Sequence, residues 1–323
     1  MEVNDVAALQ NATLLSLNPD GEHLIVGALY SLAALVILPL YITIIYIMST
    51  DKELRSSPQY RLMNQFNFVD CGQAFYHLFL GVLIVFPMAQ QRFQPVVRIL
   101  SVTANSLWIA MFPIMSVLSM SRILVIIDKA SPKRLPTTLK VLNAIGLAFT
   151  ASLWLWGCIT LNITVVGVGI QYDFTKFGAS IVALAEWYLC FPCLVITYIT
   201  YLAIVLHMEL RKRVAKKGGI SSPEIKLFLQ STSLFVYISS IMIMWHNAES
   251  WGLWSKLTDT ALNFAWVLLP YWNPLLLLSL NKTFRKKMMK FVCKTPDRVA
   301  NFTVTTNSKQ LPSHSPLFIF TRR

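Results

Sequence analysis

Residues 24–48 read LIVGALYSLAALVILPLYITIIYIM, an uninterrupted run without one charged side chain. A helix crosses the hydrocarbon core of a bilayer with about 20 apolar residues, so this stretch is long enough to span on its own. Six more runs of that kind follow. Leu62–Gln91 carries only Asp70, and Ala179–Leu206 carries only Glu186. Ile99–Ser121, Val141–Tyr172, Leu227–Trp245 and Thr260–Asn281 carry no acid, Lys or Arg. Lipid offers no partner to open backbone groups, so the runs must be helices or a closed barrel. They are continuous rather than alternating, which selects helices. The expected fold is an all-α membrane protein, a seven-transmembrane helix bundle.

The composition agrees. Of 323 residues, 55% are hydrophobic and only 13% charged, about half the charged share of a soluble domain. A soluble two-domain enzyme, a disordered chain and a disulfide-stapled secreted module are excluded. The net charge of +13 is not a nucleic-acid signal, because its placement follows the membrane. The segment before the first span holds four acids and no Lys or Arg. Of the 28 basic residues, 24 fall on the opposite side, if Arg122 at the inner end of span three is counted there. The four outer ones are Arg92, Arg98, Lys176 and Lys256. The positive-inside rule places the amino terminus outside and the carboxyl terminus inside. The cationic loops then face anionic headgroups and inner partners.

This divides the chain into an outer tail (1–23), a seven-helix domain (24–281), a short amphipathic membrane-parallel helix (282–292) and a flexible inner tail (293–323). Phe284, Met288 and Phe291 give that short helix an apolar face, against Lys282, Arg285, Lys286, Lys287 and Lys290. Cys293 directly follows as a candidate for palmitoylation, or an unmodified thiol. Asn11-Ala-Thr13 is a candidate glycosylation sequon on the outer tail, whereas Asn162-Ile-Thr164 lies too near the membrane.

Ionisable residues inside spans are functional by default. Asp70 shares a helical stripe with Asn67, Gln73 and His77, as a structural tie between helices or as a switch that changes partners. Asp70 and Asn273 both lie eight residues from the inner ends of their spans, about 12 Å deep. Two polar groups at one depth in lipid should meet, since leaving one unsatisfied costs on the order of several kcal/mol. Pro274 frees a carbonyl in the preceding turn, offering that network an acceptor and the helix a bend. Glu186 stands near the outer end of span five, as a ligand contact or a solvated rim residue. The cysteines within spans pack as small hydrophobes, and the five histidines show no metal-ligand spacing. No nucleophile elbow, phosphate loop or HExxH motif is present, so neither enzyme nor cofactor chemistry is expected.

Three local patterns resemble those of G-protein-coupled receptors. Span three ends Leu118-Ser-Met-Ser-Arg122-Ile-Leu, similar to an Asp-Arg-Tyr region with the Arg kept. Span five carries Pro192 where such receptors place a kinking proline. Span seven ends Asn273-Pro274, with Phe284 ten residues later. There are departures. Ser121 replaces the acid, Leu277 replaces a Tyr, span six lacks proline, and no Cys stands near Val97 and Arg98 for the usual outer disulfide. The pattern from Leu29-Tyr30 through Pro39-Leu40-Tyr41, Tyr60-Arg-Leu-Met63 and Asn281-Lys-Thr-Phe-Arg285 resembles nematode serpentine chemoreceptors, nearest the class T or X branches, over residues 24–292.

That resemblance implies a chemosensory receptor in the plasma membrane, in sensory-neuron cilia. It would bind a small extracellular ligand, an odorant or pheromone, and activate a heterotrimeric G protein. Arg122 would contact the G protein, with Arg211, Lys212 and Arg213 of the third inner loop contributing less specifically. A ligand cavity between the helices would be lined by Trp108, Phe112, Glu186, Trp187, Trp245, His246 and Trp266, although Trp residues at span ends, Trp251 and Trp254 above all, also serve as interfacial anchors. Val267 stands where a retinal receptor needs a Lys. Ala104 stands where an amine receptor of the rhodopsin-like type needs an Asp, leaving only Glu186 as counter-ion, so both ligand classes are disfavoured. The competing reading is a multi-pass transporter or channel for a small solute. It predicts internal repeats and broken or charged helices near the midplane, and the sequence shows neither.

Overall fold

The structure is a computed structural model and describes residues 14–127, 134–214 and 222–293. In chain order its elements are α1 (Gly21–Thr50), α2 (Lys52–Ser56), α3 (Pro58–Val85), α4 (Pro87–Arg92), α5 (Gln94–Ile126), α6 (Thr137–Thr160), β1 (Ile163–Val166), β2 (Gly169–Tyr172), α7 (Ala179–Val214), α8 (Ser222–Asn247), α9 (Lys256–Leu280) and α10 (Lys282–Val292). Six of these helices are long and apolar enough to cross a membrane among the described residues. With α8 they make the seven-helix bundle. Side chains in the first turns of α8 lie outside the described residues.

Two expected spans are shorter than their apolar runs. The second stops at Val85 because Pro87 disfavours helical backbone in the residue before it, and Phe86 sits at φ −121°, ψ 76°. The fourth is helix only to Thr160. Leu161 turns into the left-handed region at φ 50°, and the rest of the run folds back as a β-hairpin. Ile163 pairs with Tyr172 and Val166 with Gly169. The two-residue loop between them needs a positive φ, which Gly167 supplies at 58°. The all-α bundle therefore carries one small β element on its outer face.

The helices close a ring in the order α1, α3, α5, α7, α8, α9, with α6 packed outside α5. The apolar windows of α5 and α6 are 72% and 17% buried, which makes α5 the central pillar and α6 a lipid-facing prop. No hydrophobic force drives helix pairing in lipid, so close backbone approach must do that work. It is closest where α1 crosses α3. A Cβ on Gly81 would lie 2.5 Å from the Gly27 carbonyl oxygen and 2.3 Å from Ser31 Oγ. Gly81→Val is expected to cost about 3 kcal/mol, the upper range for overpacking. Gly72→Ala meets only the flexible tip of Leu107 and is expected to cost about 1 kcal/mol. Thermal unfolding of the two purified variants checks the difference.

At the inner face α10 lies against α1. Phe284 is fully buried, and Lys287 reaches Asp51 at 2.5 Å and Glu53 at 2.8 Å. Asn281 caps the helix through the Phe284 amide at 3.0 Å. Cys293 is exposed at its end. Asn11 lies outside the described residues. Asn162 is fully buried, which closes that sequon.

Candidate functional site

One face of α3 carries Asn67, Asp70, Gln73 and His77, all buried, and it meets α9. The lower part of that seam is polar. Asn273 Nδ2 donates to Asn67 Oδ1 at 2.8 Å and lies 3.4 Å from Asp70 Oδ2. Pro274 has no N–H, so the carbonyl four residues back loses its helical donor. That carbonyl belongs to Pro270, and the Tyr41 hydroxyl of α1 lies 2.7 Å from it and 2.8 Å from Asp70 Oδ2. Three helices are thus tied at one depth through the residue Pro274 leaves open.

One turn outward, Trp266 Nε1 donates to Gln73 Oε1 at 2.7 Å, while Gln73 Nε2 reaches Met111 Sδ at 2.8 Å. His77 does not join the hydrogen-bonded network. Its ring meets the Trp266 ring edge-on at 4.7 Å, and neither ring nitrogen has a hydrogen-bond partner among the described residues. Trp266 is also 6.4 Å from Trp108 and 6.1 Å from Trp245, and Trp108 is 5.3 Å from Phe112. These rings form the floor of the outer half of the bundle.

Above that floor stands Glu186 of α7, buried rather than on a solvated rim. The Tyr172 hydroxyl, carried inward by strand β2, donates to Glu186 Oε2. Asn105 Nδ2 in turn donates to the Tyr172 oxygen at 2.9 Å. Trp108 and His246 complete the surroundings of the carboxylate, and the His246 ring packs against Trp187 at 5.0 Å. Ring contacts thus join Trp108, Phe112, Trp245 and Trp266 in one group and Trp187 and His246 in another, with Glu186 hydrogen-bonded to Trp108 and electrostatically near His246. Trp251 and Trp254 stay exposed on the outer turn after α8.

The hairpin that delivers Tyr172 is clasped to the bundle. Arg98 of α5 donates to the Leu161 carbonyl at 2.6 Å and to Asp173 at 2.8 Å. Gln90 donates to the Val165 carbonyl at 3.0 Å. Gly169 presses on Asn263 of α9 so closely that a Cβ would lie 2.1 Å from its Oδ1. The Thr175 hydroxyl, then the Arg98 guanidinium, holds the Asp173 carboxyl below its ordinary range. A carboxyl lowered by folding stabilises fully above its unfolded value near 4, and that contribution is lost as pH falls through the folded value. The ion pair of the clasp is therefore complete at neutral pH and lost in acid, while the Arg98 bond to the Leu161 carbonyl does not depend on it. Asp173→Asn is expected to lower the unfolding temperature at pH 7 and to flatten its fall below about pH 4. Unfolding temperatures of both proteins across that range check this.

At the inner end, Arg122 is 5% exposed, so its side chain is folded into the bundle rather than presented at the surface. It borders a cavity of about 20 Å³, room for one water molecule, lined also by Met63, Tyr201 and Asn273. Pro192 lies inside α7, and Arg211, Lys212 and Arg213 lie on its last turn, their side chains outside the described residues.

Tyr41, Arg98, Asn105, Tyr172 and Asp173 were not visible as site residues from sequence. Tyr172 and Tyr41 sit in apolar runs, and Arg98 reads as one of four outer basic residues. Asn105 offered a signal, as a polar side chain within a span.

The sequence model described as serpentine type 7TM GPCR chemoreceptor Srv matches residues 30–293. The crystal structure of squid rhodopsin resembles this fold with a TM-score of 0.59 at 14% identity, covering 86% of this chain and 87% of that one. Among curated protein sequences no relative matches the chain.

Proposed function

The chain belongs to the Srv family of serpentine seven-transmembrane chemoreceptors, and from that premise we propose that a small extracellular ligand binds over the Trp108–Trp266 floor and drives nucleotide exchange on a heterotrimeric G protein. The Srv branch replaces the class T or X assignment that the sequence pattern suggested. The ligand is of odorant or pheromone type, and the receptor works in the plasma membrane of a sensory cilium.

One observation supports this reading above the others. Helix α9 carries Trp266, which borders the outer site, and Asn273, which holds the inner network, seven residues apart. That is about 10 Å along a single helix. Between them lies Pro270, and Pro274 directly follows Asn273; around these two prolines the helix has lost internal bonds and bends most easily. A ligand pressing on Trp266 acts on the element whose lower half anchors Asp70. Below it, Asn273 shares a cavity with Arg122, so the inner end senses the same helix.

The test is reconstitution of the full chain in lipid nanodiscs with purified heterotrimeric G proteins of several α-subunit classes. Ligand-dependent nucleotide exchange on at least one class is expected. Failure of every class to respond, while a bound ligand is demonstrated directly, would reject the coupling. Imaging of a tagged chain in ciliated sensory neurons tests the location.

A further inference from the structure

Glu186 is a buried acid with an unusual set of partners. Among the described residues no Lys or Arg forms an ion pair with it. The hydroxyl of Tyr172, which belongs to a hairpin rather than to the bundle, donates to it, and the Asn105 and Trp108 side chains add hydrogen bonds. Around it stand Asn105, Trp108 and His246, with Trp266 beyond Trp108. A buried carboxylate is costly unless it is paired and hydrogen-bonded, and the phenol, amide and indole donors around Glu186 are all neutral, with His246 as an ionisable base beside it.

The chemistry of this wall is selective. An anionic ligand would face Glu186, with no described Lys or Arg free to receive it and only the His246 imidazole, already beside Glu186, as a basic group. Arg98 is committed to Asp173 and the Leu161 carbonyl, Lys256 is paired with Glu22, and Arg92 and Lys176 are exposed. A neutral ligand could fill the aromatic floor but would leave the acid as it is. A protonated amine satisfies both parts, because an ammonium forms charge-assisted bonds to carboxylate and is attracted to the faces of Trp rings.

We propose that the outer site is a receptor pocket for small amines, in which the ligand's ammonium group takes the place of the Tyr172 hydroxyl at Glu186 while its organic part rests on Trp108 and Trp266. This deepens the receptor reading above, and rests on it for the face from which the ligand arrives. It also revises the expectation drawn from Ala104. The acid is absent from α5, and α7 supplies one in its place, against Asn105 at the very next position. Tyr172 then acts as an internal surrogate for the ligand, and its displacement releases the inner edge of the hairpin.

The experiment uses the full chain in nanodiscs, with butylamine and 2-phenylethylamine as probes, each beside the alcohol of the same shape, and 3-phenylpropanoate as the anion. Binding is measured directly by calorimetry, without a G protein. The expected result is that at least one amine binds at least about tenfold more tightly than its alcohol, the strength of one charge-assisted contact, and that the anion does not bind. Glu186→Gln should erase the preference for amine over alcohol. Tyr172→Phe keeps the ring, removes the competing hydroxyl, and should tighten amine binding several-fold. Equal binding of amine and alcohol, a preference that survives Glu186→Gln, or no binding by either amine would overturn the proposal. If Glu186→Gln does not fold, Tyr172→Phe decides, and unchanged or weaker amine binding is the adverse result. Nucleotide exchange measured in parallel separates the two readings. Amine selectivity without exchange leaves the pocket and removes the coupling. Exchange driven by a neutral compound independently of Glu186 leaves the coupling and removes the amine pocket.

Discussion

Replacing Arg122 by Leu is expected to reduce ligand-driven nucleotide exchange to the basal rate, a loss of about 30-fold or more, at unchanged surface expression. The size follows from truncating one charged partner in a desolvated contact, about 2–5 kcal/mol. Stability should change little. Leu removes the cost of keeping a charge out of water, but it is shorter than Arg122, which is buried beside Met63 and Tyr201, and leaves part of that space unfilled. The expected signature is therefore a silent receptor that still folds and reaches the surface. Arg122→Lys should recover only part of the activity, because an ammonium lacks the planar fork of the guanidinium. Full signalling by Arg122→Leu would remove it from the coupling surface. For Arg122 to meet a partner it must first leave its place beside Met63 and the Asn273 cavity.

The second large effect is expected in the seam between α3 and α9. Asp70→Asn keeps a group of the same shape that can still bond Tyr41, so the fold should persist while the balance between active and inactive states shifts. Asn273→Ala removes the bond to Asn67 and the approach to Asp70. Contacting residues in one network usually couple by about 0.5–3 kcal/mol. Basal and ligand-driven exchange, measured for both single variants and the double variant at matched expression, should give an interaction term of about 1 kcal/mol. Strict additivity would mean that the two side chains do not act through one another.

Much of the bundle is legible because lipid is an unforgiving solvent. A run such as residues 24–48 has no alternative to helix. Asp70 and Asn273 can be matched by depth alone, since a polar group there has few places to go. The signals that fail are those where apolar character does not specify conformation. Val141–Tyr172 is apolar throughout, yet Leu161, Gly167 and the β-branched Ile163–Val166 turn its last third into a hairpin. Pro87 marks the end of α3 in plain view, but hydropathy averages over it. The outer site was half legible. Its aromatic floor and Glu186 come from residues near the expected span ends. The partner of that acid comes from a loop whose path no span-counting argument fixes. Arg122 is legible by position and not by orientation, because the inner end of a span allows a long cation to reach toward headgroups or fold inward.

The clasp between Arg98 and Asp173 has a practical corollary. It holds the outer hairpin at the head of α5 by charge and hydrogen bonds, and all five cysteines of the chain are free thiols in this structure. Assembly of the outer face thus requires no oxidant, no disulfide isomerase and no oxidising lumen. Thiol reductants that would sever a covalent bridge leave this one untouched. The protein is expected to keep its outer hairpin in place when inserted into membranes or nanodiscs from a cell-free extract and purified under dithiothreitol.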